Sequence, residues 1–69
     1  MTTRTYQTDI TIMSMSAARK AAHVIDQSAQ LETLDGEYVV SLHDGDTCTG
    51  VWDNPTDAWR DALAVLTAH

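Results

Sequence analysis

The sequence predicts a small α+β domain in which an antiparallel sheet of two or three strands packs against two helices. Two segments, 37–42 and 47–52, alternate like strands on either side of an Asp-Gly turn sequence. Two other segments, 17–31 and 55–68, have the composition or the apolar spacing of helices. With 69 residues, the chain is expected to form one domain, residues 1–69, with the element order β-α-β-β-α.

The first predicted element is a strand from Thr3 to Ile12. Tyr6, Ile10 and Ile12 would share one of its faces. Because an isolated hairpin is marginally stable, this strand is expected to join the later hairpin as a third antiparallel strand. The alternative is a frayed tail.

The first predicted helix begins after an N-cap at Ser14 or Ser16 and runs from Ala17 to about Leu31. A turn at Asp35-Gly36 ends this unit. Its expected apolar face is mostly alanine and is flanked by Val24 and Leu31, its members being Ala18, Ala21, Ala22, Ile25 and Ala29. The polar side chains expected to point outward are Arg19, Lys20, His23, Gln27 and Gln30.

The hairpin has two possible registers. A three-residue loop, His43–Gly45, puts six residues on the inward row: Tyr38, Val40, Leu42, Cys48, Gly50 and Trp52. A two-residue Asp44-Gly45 turn would instead bring Thr47, Thr49 and Val51 onto that row and mix apolar with polar side chains. The first register separates the two classes better and is preferred. Cys48 is then expected to be a small core residue.

The second helix carries the strongest local signals in the chain. Asn54 is a good N-cap, Pro55 suits the first helical position, and Asp57 can complete a capping box. The apolar residues recur at helical spacing and comprise Trp59, Ala62, Leu63 and Leu66. Asp57 and Asp61 fall on the opposite side of the helix and are expected to face water.

Charge is distributed unevenly along the chain. Residues 26–69 carry nine acids and one base, a net of −8, whereas residues 1–25 have a net of +2. Such a field repels nucleic acid and anionic membranes and favours basic partners, although the alternative is a well-hydrated surface with no partner. The candidate partner-binding residues are Glu37, Asp44, Asp46, Asp53, Asp57 and Asp61.

No residue pattern predicts an enzyme, a cofactor or a metal site. The turn that contains His43, Asp44 and Asp46 lacks the spaced acids of a calcium loop. In the preferred register Cys48 and His43 face opposite sides, so they cannot act together as nucleophile and base. A single cysteine excludes an internal disulfide. Without a signal sequence or an apolar run of eighteen residues, the expected location is the cytoplasm.

Two family resemblances follow from these segments. The sequence YVVSLHDGDTCTGVWDNPTDAWRDALAVL resembles the hairpin and helix of HicB-like antitoxins, with loose matches at Gly50, the NPTDA cap and Ala62, while the N-terminal helix departs from that family. The whole chain, by its size, acidity and mixed α/β order, resembles small phage-encoded anti-CRISPR proteins that act on type I systems.

These resemblances imply two functions. The anti-CRISPR resemblance implies an inhibitor that works in the host cell cytoplasm, where its acidic face mimics DNA and occupies a basic DNA-binding channel of a surveillance complex. The HicB-like resemblance implies an antitoxin module that neutralises a basic toxin. The first function accounts better for the cluster of carboxylates and is the principal expectation.

Overall fold

A computed structural model describes residues 10–68 of the chain. It contains an antiparallel sheet with the strand order β1-β2-β3 and two helices, which confirms the predicted α+β class. In chain order the elements are α1 (Met15–Ile25), β1 (Gln30–Leu34), β2 (Glu37–Leu42), a short 3-10 turn (His43–Gly45), β3 (Thr47–Cys48) and α2 (Pro55–Thr67). Neither helix is long and apolar enough to span a membrane.

Helix α1 is shorter than the sequence predicts. Ser14 caps its start, since the Ser14 hydroxyl accepts a hydrogen bond from the Ala17 N–H at 3.2 Å. The helix ends at Ile25 because the Asp26 carboxylate accepts hydrogen bonds from both the N–H (3.0 Å) and the hydroxyl (2.6 Å) of Ser28. Local bonds of this kind give the backbone an alternative to the helix. The prediction that the helix continues to Leu31 is therefore wrong.

The strand that completes the three-stranded sheet is β1, Gln30–Leu34. Its first two residues belong to the segment that was predicted to be helical. It pairs with β2 from Leu34 opposite Glu37 to Gln30 opposite Ser41. The connecting turn, Asp35 and Gly36, has positive φ at both residues (52° and 78°), as in the two-residue turns that match the twist of a hairpin. Most of the strand predicted at 3–12 lies outside the described residues, and at its end Ile10 is helical and is followed by a turn.

The register between β2 and β3 differs from the prediction. Leu42 pairs with Thr47 and Ser41 pairs with Cys48, so the loop between the strands has four residues, 43–46. Thr47 therefore lies opposite the inward-facing Leu42, as in the alternative register with Thr47 and Thr49 on the inward row. Cys48 is exposed, and its predicted place in the core is wrong.

A β-bulge follows this pairing. The Thr49 N–H donates to the Val40 carbonyl at 2.9 Å, and Tyr38 and Trp52 exchange two backbone hydrogen bonds of 2.7 and 2.8 Å. Two residues, 50 and 51, therefore oppose the single residue Val39. The bulge brings Trp52 opposite Tyr38 while leaving its ring 39% exposed.

Thr49 is a polar residue that the bulge places in the core. It is 5% exposed. Its hydroxyl oxygen accepts the Val40 N–H at 3.0 Å, and the hydroxyl donates to the Gly50 carbonyl at 2.8 Å. The side chain thus replaces a backbone acceptor that the bulge has moved out of reach, and it satisfies a buried donor.

Replacing Thr49 with valine is expected to destabilise the fold by about 1 to 3 kcal/mol, because the buried Val40 N–H loses its acceptor while the volume is kept. Urea unfolding measures the change. Thr49→Ser keeps the hydroxyl and is expected to cost less than Thr49→Val. Equal stability of Thr49→Val and the parent would show that the side-chain bond does not support the bulge.

The core lies where α2 packs against both α1 and β2. Small side chains on the helices, among them Ala18, Ala22 and Ala62, are fully buried and let the two helices approach closely. Trp59 is 3% exposed and is the largest side chain of the core. The cluster of buried residues in the core comprises Ala18, Ala22, Ala29, Val40, Leu42, Ala58, Trp59, Ala62 and Leu66.

His23 and the end of α1 depart from the prediction. His23 is half-buried rather than outward, with its ring edge-on to Trp59 at 5.3 Å between centroids and its Nε2 2.9 Å from the Ala29 carbonyl. Ile25 and Val24 are exposed instead. The buried face of α1 is narrow and consists of Ala18 and Ala22. His23 continues this face by contacting Trp59, whereas Ile25 lies outside it.

Candidate functional site: an acidic sheet surface

Asp57 belongs to the cap of α2. Its N–H donates to the Asn54 side-chain oxygen at 2.8 Å, and its carboxylate accepts from the Asn54 amide at 2.9 Å. The predicted cap is therefore confirmed, with the return bond made through the Asn54 side chain. Asp57 also forms an ion pair with Arg60 at 3.4 Å, which offsets its charge. It is half-buried and does not present a free carboxylate.

Asp61 ties α2 to the bulge. One of its carboxylate oxygens accepts both the Gly50 N–H and the Trp52 indole N–H, each at 2.9 Å. The prediction that Asp61 faces water is wrong, because the bulge brings these two donors to it. The helical spacing correctly placed Asp61 on the side of α2 opposite the apolar face. It could not show that Gly50 and Trp52 lie on that side.

The free carboxylates lie on the sheet and its turns. Five acids are exposed and form no side-chain hydrogen bond or ion pair with any residue in the range 10–68: Glu32, Asp35, Glu37, Asp44 and Asp46. A sixth, Asp53, is exposed and accepts one hydrogen bond from the Asn54 amide at 2.9 Å. We refer to these six residues as the acidic sheet surface.

The acidic sheet surface occupies both ends of β2 and the face away from the helices. Tyr38 faces the core, so its neighbour Glu37 projects from the open face, together with Glu32, which pairs with Val39. Asp53 follows Trp52 and so lies at the same end of the sheet as Glu37. The loop acids Asp44 and Asp46 are at the other end, about 20 Å away for a strand of this length.

The structure therefore divides the six acids predicted from the sequence. It places Glu37 and Asp53 at one end of the sheet and Asp44 and Asp46 at the other. Asp57 bonds within the start of α2, and Asp61 bonds from α2 to the bulge. Glu32 and Asp35 join the surface, although the sequence analysis did not select them. The turn sequence Asp35-Gly36 was the signal that could have identified their strand.

The loop that carries Asp44 and Asp46 is hydrogen-bonded to the segment after α1. The His43 N–H donates to the Asp26 carboxylate and the Asp44 N–H donates to the Ser28 hydroxyl, each at 2.6 Å. His43 and Asp44 both have positive φ (53° and 60°), which residues other than glycine adopt at a cost. These two bonds fix the loop in that conformation, so the acids are presented by a defined backbone.

The same contacts lower the pKa of Asp26 below its ordinary value of 3.8. The hydrogen bond from the Ser28 hydroxyl is the largest cause, followed by the backbone N–H of His43. The His43 ring lies 3.8 Å from the carboxylate and adds attraction when it is protonated. Each of these contacts favours the charged form of Asp26.

Asp26→Asn is therefore expected to lower the melting temperature at pH 7. Since the pKa of Asp26 is lower in the folded protein, its stabilisation is complete above pH 3.8 and is lost as the pH falls through the lowered value. Thermal melts of the parent and the variant should converge as the pH is lowered from 5 towards 2. Asp46→Asn, in the loop that Asp26 holds, is the control, and it should change the melting temperature little because the Asp46 carboxylate bonds to no side chain in residues 10–68. A difference for Asp26→Asn that stays constant with pH would contradict this assignment.

An open groove of about 330 Å³ runs along α2 beside Ile10. Its charged lining residues, Asp57, Arg60 and Asp61, are the ones already engaged in contacts on α2. Within residues 10–68 no group of three or more histidine, cysteine or acidic residues is arranged to hold a metal ion. The acidic sheet surface is therefore the strongest candidate site in the described part of the chain.

Comparisons with known proteins leave this site to be judged on its own chemistry. No protein-family model, curated protein or solved structure matches the chain significantly.

Proposed function

We propose that this protein is an inhibitor that binds a basic, nucleic-acid-binding surface of a partner protein through its acidic sheet surface. The observation that supports this most strongly is that the carboxylates fall into two groups, one bonded within the protein and one free. The carboxylates on α2 and after α1 bond to the protein itself, whereas those of five acids on the sheet and its turns bond to no residue in the range 10–68. Carboxylates left free on one layer favour a basic partner.

The number of these acids along the sheet is compatible with mimicry of a nucleic-acid strand, although they are grouped at the two ends of β2. One strand of duplex DNA carries a phosphate about every 3.4 Å along the axis, hence about six over 20 Å. The sheet carries five free carboxylates and Asp53 over about the same length. The exposed bases on α1, Arg19 and Lys20, form no ion pair with this surface in the part of the chain that the structure describes.

Two partners are proposed from the resemblances. The first is a type I CRISPR surveillance complex, whose DNA-binding channel the acidic sheet surface would occupy. The second is a basic toxin, and the observation that favours it is the hairpin of β2 and β3 leading into a capped α2, as the HicB-like resemblance implies. Both partners present the chemistry that the surface requires.

Capture and displacement test the general proposal. The protein is immobilised, exposed to host lysate, and eluted with a duplex DNA oligonucleotide or with a neutral polymer of similar size. We expect DNA to release the bound partner and the neutral polymer to leave it in place, with capture weakening as salt rises from 0.05 to about 0.3 M because the contacts are screened. A partner that DNA does not displace would contradict the proposal.

A mobility-shift assay tests the more specific proposal. Purified type I complex is incubated with the protein before labelled target DNA is added. We expect less DNA to bind, and expect the loss to reverse at higher salt. Unchanged DNA binding would rule out this complex as the partner, and inhibition of a purified basic toxin would then support the second candidate.

A further inference from the structure

Within residues 10–68, strand β1 forms one edge of the sheet. The strand order β1-β2-β3 gives it one neighbour, and no other element in residues 10–68 pairs with its outer side. Four of its five residues are exposed, including Thr33, which pairs with the inward-facing Tyr38. The helices therefore leave the second half of β1 uncovered on both faces.

The hydrogen-bond pattern identifies the free backbone groups. The backbone groups of Tyr38 and Val40 bond towards β3, to Trp52 and Thr49. Because bonding alternates along an antiparallel strand, the residues of β2 between them bond towards β1. On β1, Glu32 then bonds inward, and the N–H and C=O groups of Leu31 and Thr33 point outward, where an additional strand would bind them.

The sequence of β1 protects this edge only weakly. Sheets commonly block edge strands with charged side chains, lysine above all, with proline or with a bulge. The sequence QLETL has one charged residue, no proline and no bulge in its pairing with β2, and it exposes an apolar side chain, Leu34, to 66%. Its only charged residue is Glu32, whose carboxylate belongs to the acidic sheet surface.

Charge selects the occupant of this edge. A second copy of the chain, paired antiparallel through β1, would bring Glu32 opposite its own copy, and two like charges directly opposite each other are unfavourable. An extended segment with lysine or arginine at alternate positions would instead place its cations beside Glu32 on the open face. Its remaining side chains would pass over the uncovered Thr33.

We infer that the partner binds by adding an extended basic segment as a fourth strand on the outer edge of β1. This inference rests on the proposed function and specifies how the acidic sheet surface is used. Backbone hydrogen bonds to Leu31 and Thr33 would supply affinity, and Glu32 with its acidic neighbours would select basic side chains.

A backbone variant tests this inference separately from charge. Thr33→Pro removes the outward N–H of Thr33 without breaking a bond between β1 and β2, whereas Thr33→Ser keeps that N–H and serves as the matched control. The probe is the peptide Ac-TKTKTKT-NH2, with Ac-TETETET-NH2 as its acidic control, in titrations followed by amide NMR at low salt. The circular dichroism and melting of both variants are checked first.

We expect the lysine peptide to slow hydrogen exchange at the Leu31 and Thr33 amides, Thr33→Pro to weaken its binding at least about tenfold, and Thr33→Ser to bind within about twofold of the parent. The glutamate peptide should not bind. If folded Thr33→Pro binds the lysine peptide as tightly as the parent does, strand addition is overturned. It is also overturned if the protein alone forms a dimer that Thr33→Pro abolishes. If charge reversal on the acidic sheet surface also leaves binding unchanged, the proposed function itself fails.

Discussion

Trp59→Ala is expected to destabilise the protein by about 3 to 5 kcal/mol, the largest effect of any single substitution proposed for this chain. The Trp59 ring is 3% exposed and packs among small alanines, which cannot move inward to fill the cavity that its removal leaves. It also supports the edge-on ring of His23 at 5.3 Å, so α1 loses a contact as well. In a domain of this size, such a loss approaches the total free energy of unfolding.

Urea unfolding followed by circular dichroism measures this effect. Val65→Ala on the same helix is the matched control, because Val65 is partly exposed, and we expect it to cost less than about 1 kcal/mol. Trp59→Phe retains part of the volume and should fall between the parent and Trp59→Ala, which gives a measurable value if the alanine variant does not fold. A melting temperature of Trp59→Ala within a degree or two of the parent would contradict the packing described for the core.

Reversal of Glu37 and Asp46 to lysine is expected to weaken binding to a basic partner on the order of 1,000-fold at low salt. Each close ion pair contributes about 1 kcal/mol in water at 4 Å. The double change replaces two attractions with two repulsions, and ten-fold in affinity corresponds to about 1.4 kcal/mol. Both residues are exposed and their carboxylates bond to no other side chain in residues 10–68, so the fold should be retained.

A pair of variants with equal net charge separates local contacts from overall charge. Glu37→Gln with Asp46→Asn raises the net charge by two, and so does Val24→Lys with Gln27→Lys at the exposed end of α1. We expect the first pair to weaken binding about 30-fold, because two attractions of about 1 kcal/mol each are lost, and the second pair to have a much smaller effect. Similar losses in both pairs would show that the partner responds to net charge and not to the acidic sheet surface.

The parts of the fold that were predicted correctly depend on local signals. Helix α2 begins with Asn54 and Pro55 and buries Trp59 at the start of its apolar spacing, and each of these features acts within a few residues. Strand β1 was missed because glutamine, leucine and glutamate favour helices, so its conformation is decided by pairing with β2. The Asp35-Gly36 turn was the available signal, but the prediction used it only to end a helix.

The hairpin register and the free acids depend on distant contacts. The loop at His43 and Asp44 is held by Asp26 and Ser28, which lie 16 or 17 residues earlier, so its length is not determined by its own sequence. The resulting bulge supplies the donors that engage Asp61. Helical spacing gives the side of a helix that a residue occupies, but it does not give the partners that another element brings there.

Hydrogen exchange of the complex with the partner that DNA displaces tests most directly whether the acidic sheet surface is the binding site. Mass spectrometry compares the protein alone and in the complex. We expect slower exchange in residues 30–37 and 43–47 and no change in α1, residues 15–25. Protection confined to α1 or α2, with the sheet exchanging as in the free protein, would contradict the proposed site.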